Sequence, residues 1–112
     1  MEKNVMISIL FEYYGKLLSK KQHDSIELYY EEDLSLTEIA DLQNVSKQSI
    51  SENIKRSEKA LIEYEEKLGL YKRMSELQSL VDSLEEKLMD DLDDNKYAKY
   101  IDLIFQINSK LK

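Results

Sequence analysis

The sequence predicts an all-α fold, and three observations carry that prediction. Among 112 residues there is no proline and there are only two glycines, Gly15 and Gly69, although strand-rich folds need many turns built from these residues. Glutamate, lysine and leucine, which favour helices, are abundant. Apolar residues also recur at helical spacing along most of the chain. We therefore expect a bundle of helices with turns made by a few polar residues.

The first two predicted helices occupy residues 2–31. The segment 2–14 is apolar on more than one face, which is typical of a helix buried by its neighbours or by a second subunit. Gly15 is expected to end this helix. Ser19 stands three residues before Gln22, the spacing of a capping box, and is expected to begin the second helix.

The next two predicted helices have the pattern of a helix-turn-helix. Ser35 begins the first of them with a second capping-box spacing, and four of its residues are expected to face inward: Leu36, Ile39, Ala40 and Leu42. Asn44 tolerates the left-handed conformation that a tight turn needs. After the turn, Val45 is expected to plug the core and Ser46 to cap a helix that runs to Gly69.

The second helix of this motif carries a local excess of positive charge. Residues 46–60 contain four cations and two acids, a net of +2, whereas the chain has a formal net charge of -7. An acidic chain repels phosphate, so this segment alone favours nucleic-acid binding, with Glu52 as an opposing charge. The expected base or near-base contacts are Lys47, Gln48, Ser49 and Ser51, and the expected phosphate contacts are Lys55 and Arg56. The alternative is a helix-turn-helix that only docks proteins.

From Leu70 onward the apolar residues follow a heptad pattern. Six of them alternate in spacing between four and three residues: Leu70, Met74, Leu77, Val81, Leu84 and Leu88. This seam is either an intramolecular contact or a dimer interface, and a homodimer is favoured. The acidic run 90–95 is expected to be a loop before a last helix from Lys96 to Leu111. The predicted domains are therefore a helix-turn-helix domain at 1–69 and a C-terminal helical hairpin at 70–112.

No residue set has the spacing of a catalytic or metal site. His23 is the only histidine and is expected to be a surface or half-buried helix residue. The acidic loop lacks the central glycine and the final glutamate of a calcium-binding loop. The tyrosines are expected in the core, and cysteine is absent. We expect a cytoplasmic protein that is not an enzyme and has no cofactor and no membrane partner.

The span from Phe11 to Leu70 resembles the YlxM family of small bacterial helix-turn-helix proteins. The segments that carry the resemblance are "YGKLLSKKQ", "ELYYEEDLSLTEIA", "NVSKQSI", "NIKRSEK" and "YEEKLGLY". One position departs from such motifs, because Gln43 stands just before the turn where an apolar residue is usual. The C-terminal third is similar only in its helical pattern.

The resemblance implies both a fold and a function. It implies a fold similar to the DNA-binding region four of sigma factors, which makes double-stranded DNA, or alternatively RNA, the expected partner. It marks five residues as recognition-helix positions: Lys47, Gln48, Ser49, Lys55 and Arg56. It also implies a link to the signal recognition particle pathway, because family genes lie beside those for Ffh and FtsY. A protein-interaction adaptor of that pathway, without nucleic-acid contact, is the second expectation.

Overall fold

The computed structural model describes residues 1–111, and within them the chain folds into six α-helices with no strand. This confirms the all-α prediction. The helices are α1 (Lys3–Tyr14), α2 (Lys20–Ile26), α3 (Leu36–Gln43), α4 (Lys47–Leu68), α5 (Leu70–Asp91) and α6 (Asp94–Leu111). A 3₁₀ turn, Gly15–Leu17, separates α1 from α2, and a π-helical turn, Glu27–Glu31, extends α2.

The described residues form two compact units, Met1–Tyr71 and a second unit that begins at Lys72. In the first unit α1, α2 and α3 all contact α4. Their shared core consists of Ile7, Leu10, Tyr14, Leu18, Ile26, Ile39, Ala40, Ile50, Ile54 and Leu61. The predicted division into 1–69 and 70–112 stays a prediction, and Lys112 lies outside the described residues.

The serine caps form as their spacing predicts. The Ser19 Oγ accepts from the Gln22 N–H at 3.3 Å, and the Gln22 side chain accepts from the Ser19 N–H at 3.2 Å. Ser35 and Glu38 make the same reciprocal pair, with both distances at 3.1 Å. These bonds satisfy backbone donors that the first helical turn leaves unpaired, so α2 and α3 begin at fixed positions.

Gly15 follows the last residue of α1 as predicted, but not because it adopts a left-handed conformation. Its φ is -54°, which any residue adopts. A Cβ at this position would lie 2.9 Å from the Phe11 ring, so the absence of a side chain is what the site requires. Gly69, in contrast, ends α4 with a φ of 61°.

Several predicted details are wrong. Leu42 is 67% exposed and does not face inward, because Ile39 and Ala40 form the buried side of α3. The segment 90–95 is mostly helical, since α5 continues to Asp91 and α6 begins at Asp94. The carboxylate of Asp93 accepts from the Lys96 N–H at 2.8 Å and so caps α6, which the prediction missed.

The second unit contains a hairpin of α6 against the rest of α5. The Gln78 amide donates to the Asn108 side chain at 2.8 Å, and the Tyr97 hydroxyl donates to Glu85 at 3.5 Å. The two helices are therefore antiparallel. The predicted heptad seam is only partly covered, because Met74, Val81 and Leu88 are half-buried whereas Leu77 and Leu84 are exposed. Tyr100 is also exposed, contrary to the expectation for the tyrosines.

Candidate nucleic-acid interface

The turn between α3 and α4 fixes the direction in which α4 leaves. Asn44 has φ 56° and ψ 47°, the left-handed conformation expected of it. The Val45 N–H donates to the Ala40 carbonyl at 3.0 Å, which closes the Schellman motif at the end of α3. The Ser46 Oγ then accepts from the Ser49 N–H at 3.0 Å and caps α4. Three residues thus convert one helix into the next.

Val45 does not plug the core as predicted. It is 39% exposed, while Ile50, one turn into α4, is buried and belongs to the same core as Ile39. Gln43, which departs from the usual apolar residue, is half-buried. Val45 and Gln43 instead line a surface groove between the start of α4 and α2.

Five of the six predicted site residues are exposed on α4: Lys47, Gln48, Ser49, Lys55 and Arg56. Ser51 is half-buried and is the least accessible of the six. Gln48 donates to Glu52 across one helical turn at 3.5 Å, so this acid is in part engaged by a neighbouring side chain on α4. Whether these residues contact a nucleic acid stays a prediction.

Lys55 and Arg56 face different flanks of α4, because successive helical residues are about 100° apart. Lys55 lies in a groove with two other lysines and three glutamates, so its flank is electrically balanced. That groove is lined by Lys3, Lys55, Glu58, Lys59, Ile62, Glu63 and Glu66. Lys3 is further neutralised there by an ion pair with Glu58, Nζ to Oε1 at 3.2 Å.

The Arg56 flank is different, because α2 brings additional cations to it. One groove places Arg56 with Lys21 and with the polar residues Ser19, Gln22, Ser49, Glu52 and Asn53. An adjoining groove contains Lys20 and again Lys21, Ser49 and Asn53, with Asp24 as its acid. Within the described residues, Lys20, Lys21 and Arg56 form no ion pair with a carboxylate. This flank therefore combines unpaired cations with hydrogen-bonding side chains.

Lys20, Lys21 and Asn53 line these grooves although no pattern in the sequence had marked them as candidates. The two lysines precede the helix-turn-helix by more than a dozen residues, and no local pattern connects them to α4. Their position depends on the packing of α2 against α4. The only advance signal was the capping box at Ser19, which fixes where α2 begins.

Two glutamates of α4, Glu58 and Glu65, accept hydrogen bonds from tyrosines that precede the helix-turn-helix in the chain. Glu58 is only 8% exposed, and its carboxylate accepts a short hydrogen bond from the Tyr30 hydroxyl. Burial, reinforced by the bond to Glu58, raises the pKa of Tyr30. Further along α4, the Tyr14 hydroxyl donates to Glu65 at 2.6 Å, and burial together with that bond raises the pKa of Tyr14.

The described residues contain no group of three or more metal-ligating side chains placed to hold an ion. His23 is half-buried, as expected, with its ring centroid 4.8 Å from that of Phe11. No helix in the described part of the chain has the length and apolar character needed to cross a membrane.

The capped turn, the buried alanine of α3 and the exposed polar face of α4 define a helix-turn-helix protein. Comparison with known families agrees. Residues 1–104 match UPF0122, the family described as "Putative helix-turn-helix protein, YlxM / p13 like", and the chain belongs to this family. The resemblance to the YlxM family drawn from the sequence is thereby confirmed.

Individual relatives carry the same family name. The chain is 52% identical over 77 residues to a UPF0122 protein of Desulforamulus reducens, which covers 68% of this chain and 66% of the relative. It is 55% identical over 71 residues to one from Limosilactobacillus reuteri, covering 63% of each. The match thus spans slightly under two thirds of these two relatives. A UPF0122 protein of Bacillus cereus strain AH187 is 42% identical over 101 residues, 90% of this chain and 92% of the relative.

Proposed function

We propose that this protein is a DNA-binding regulatory protein whose reading face is the outward side of α4. The observation that carries the proposal is the groove in which Arg56 of α4 and Lys21 of α2 lie together without an acidic partner of their own. Such cations neutralise backbone phosphates, and counterion release makes that binding favourable even for an acidic chain. The net charge of -7 argues against coating of nucleic acid in general, so binding depends on this local surface.

The roles of the residues follow from their places on the helix. Lys47, Gln48 and Ser49 are exposed at the start of α4, where a recognition helix meets base edges, and Ser51 is the least exposed of this group. Lys55 and Arg56 contact phosphates one turn further on. Lys20 and Lys21 add phosphate contacts from α2, and the arrangement as a whole is of the sigma-factor region-four type.

The proposal also covers the location, the oligomeric state and the pathway of the protein. It acts in the cytoplasm as a homodimer, which presents two reading helices, and it has no catalytic activity. The resemblance to the YlxM family supports a link to the signal recognition particle pathway. One observation favours the second candidate, an adaptor of that pathway without nucleic-acid contact: Glu52 lies in the middle of the reading face and repels phosphate.

The test is titration of the protein into a labelled mixed-sequence DNA duplex. About four phosphate contacts, those of one subunit, imply a log–log salt slope of about -3.6, hence a loss of about 150-fold between roughly 50 and 200 mM salt, and a dimer that uses eight would lose far more. The variant Lys55→Ala/Arg56→Ala should bind more weakly with a shallower slope. The matched control Lys67→Ala/Lys99→Ala removes the same charge from exposed positions outside the three grooves and should leave both the affinity and the salt slope unchanged.

The two candidate functions give opposite results in this titration. A DNA-binding protein shows salt-dependent affinity that the Lys55 and Arg56 variant loses and the control retains. An adaptor shows no binding even at the lower salt, or binding that both variants reduce equally as a nonspecific charge effect. A structured RNA used as competitor in the same titration distinguishes the two nucleic acids.

A further inference from the structure

One face of the hairpin of α5 and α6 carries six uncovered apolar side chains, while Ile101 and Phe105 are exposed on the other side of α6. Its exposed residues are Leu77, Leu80 and Leu84 on α5 and Tyr100, Leu103 and Ile107 on α6, and each is between 40% and 67% exposed. Soluble proteins rarely leave a contiguous group of large apolar side chains in water without a partner.

Both groups of apolar residues lie on the same face of the hairpin. On α5, Leu77 and Leu84 each precede by one residue a side chain, Gln78 or Glu85, that bonds across to α6. On α6, Leu103 precedes the buried Ile104 in the same way. A step of one residue along a helix rotates the side-chain direction by about 100°, and on both helices the step here is toward the N-terminus. In two antiparallel helices, equal rotations from the contact line point to the same side of the pair.

Charged residues flank the apolar residues of α5 at both ends of the same face. Arg73 lies four residues before Leu77. Lys87 and Asp91 lie three and seven residues after Leu84. The stripe is Arg73, Leu77, Leu80, Leu84, Lys87 and Asp91, spaced alternately by four and three residues, and all six side chains are exposed. Within the described residues neither Arg73 nor Asp91 has an ion-pair partner.

We infer that two copies of this chain pair antiparallel along this stripe of α5. The pairing places Leu80 of one copy against Leu84 of the second copy, and Leu77 against the alkyl stem of Lys87. Arg73 then faces Asp91 at both ends of the contact. A parallel pair would instead place Arg73 beside Arg73 and Asp91 beside Asp91, so the charges select the antiparallel arrangement.

The occupant is a second copy because the stripe is complementary to itself. Reversal of the stripe exchanges Arg73 for Asp91 and Leu80 for Leu84, and it sets Leu77 against the alkyl stem of Lys87, so each contact occurs twice, as a two-fold interface requires. Two hairpins joined in this way complete a four-helix bundle. On α6, Tyr100, Leu103 and Ile107 add apolar area, but the residues at the ends, Lys96 and Lys110, carry the same charge, so α5 sets the register.

The inference deepens the homodimer of the proposed function and does not depend on nucleic-acid binding. Charge exchange tests it. The single variants Arg73→Asp and Asp91→Arg should each weaken dimerisation by about tenfold in sedimentation measurements, because like charges then meet at both ends. The double variant Arg73→Asp/Asp91→Arg should return to within about threefold of the original dissociation constant.

Two controls make this experiment decisive. Glu86→Arg makes the same charge change as Asp91→Arg at an exposed position of α5 outside the stripe, and it should not change the dissociation constant. A monomer at all concentrations overturns the inference. A dimer that the single variants leave intact, or that the double variant fails to restore, also overturns it. DNA binding by a monomer would retain the proposed nucleic-acid function and remove only the dimer.

Cysteine cross-linking tests the register independently, because the chain has no cysteine. The variants Leu80→Cys and Leu84→Cys are purified separately, mixed and oxidised. The antiparallel register predicts a disulfide-linked dimer in the mixture and almost none with either variant alone. A parallel pair predicts the reverse, since each cysteine would then meet its own counterpart, and that result would contradict the inference.

Discussion

The hydroxyl of Tyr30 donates a hydrogen bond to the carboxylate of Glu58, and this bond joins the π-helical turn after α2 to the rear of α4. The same carboxylate pairs with Lys3 at the start of α1. A buried carboxylate is costly unless it is paired and hydrogen-bonded, so the three groups stabilise one another. The helix proposed to read nucleic acid is thus held by its inner face, which leaves its outer face free for a ligand.

Removal of the Tyr30 hydroxyl should destabilise the first unit. Tyr30→Phe deletes a hydrogen bond to a charged group and leaves Glu58 with only Lys3, so the free energy of unfolding should fall by about 1.5–3 kcal/mol. Urea unfolding measures the change. Tyr29→Phe, which removes the neighbouring hydroxyl that has no hydrogen-bond partner among the described residues, is the matched control and should change stability by less than about 0.5 kcal/mol. Equal losses of unfolding free energy in the two variants would mean that the Tyr30–Glu58 hydrogen bond does not stabilise the first unit.

The hydrogen-bonded tyrosines Tyr14 and Tyr30 also predict alkaline sensitivity. The pKa values of Tyr14 and Tyr30 are raised in the folded chain above the ordinary value of 10.0, so folding favours the protonated phenols. Their contribution is complete below about pH 10 and is lost as the pH rises further, because the unfolded chain then releases protons that the folded chain retains.

The measurement is the free energy of unfolding at about pH 8 and about pH 11 for the original chain and for Tyr14→Phe/Tyr30→Phe. Phenylalanine does not titrate, so the double variant should lose less stability over this interval. Lysine titration affects both proteins alike and cancels in the comparison. Equal losses in the two proteins would show that these phenols are not the source of the pH dependence.

The turn at Asn44 should tolerate glycine better than alanine. With φ at 56°, the left-handed conformation costs a β-carbon residue about 1–2 kcal/mol, and asparagine reduces that cost. Asn44→Ala should therefore lower the free energy of unfolding by about 1 kcal/mol, whereas Asn44→Gly should be near neutral. Thermal unfolding of the two variants compares them directly. A glycine variant that is less stable than the alanine variant would contradict the role assigned to the backbone.

The lysines of α2 should contribute to nucleic-acid affinity although they lie outside the helix-turn-helix. Lys20→Ala/Lys21→Ala removes two proposed phosphate contacts per subunit and should reduce the log–log salt slope by about 1.8 for each bound subunit. Arg56→Ala should cost more affinity than Lys55→Ala, because Lys55 shares its groove with Glu63 and Glu66. Fluorescence anisotropy of a labelled duplex gives both values. An unchanged slope in the α2 variant would remove these lysines from the site.

The features that the sequence predicted correctly are local. The caps at Ser19, Ser35 and Ser46 and the left-handed Asn44 each depend on residues within a few positions, so spacing alone identified them. The covered and uncovered sides of each helix depend on its neighbours. Leu42 was therefore misplaced, since helical spacing alone could not tell that the buried side of α3 ends at Ala40.

The part of the candidate site on α4 could be predicted from local spacing, whereas the part on α2 could not. The exposed residues of α4 followed from the periodicity of Ile50 and Ile54, which are buried. The contribution of Lys20 and Lys21 required the packing of α2 on α4, a tertiary contact that no local pattern encodes. The heptad after Leu70 similarly located an apolar seam without showing which of its residues α6 covers.

The outer face of α4 and the start of α2 are proposed to bind nucleic acid together. The most direct measurement is a map of backbone amide chemical shifts of the full chain as a DNA duplex is added at low salt. Shifts should concentrate at residues 19–22 and 47–56, with few changes in α6. Shifts that are absent at saturating duplex, or that fall mainly on α1 and α6, would contradict the proposal.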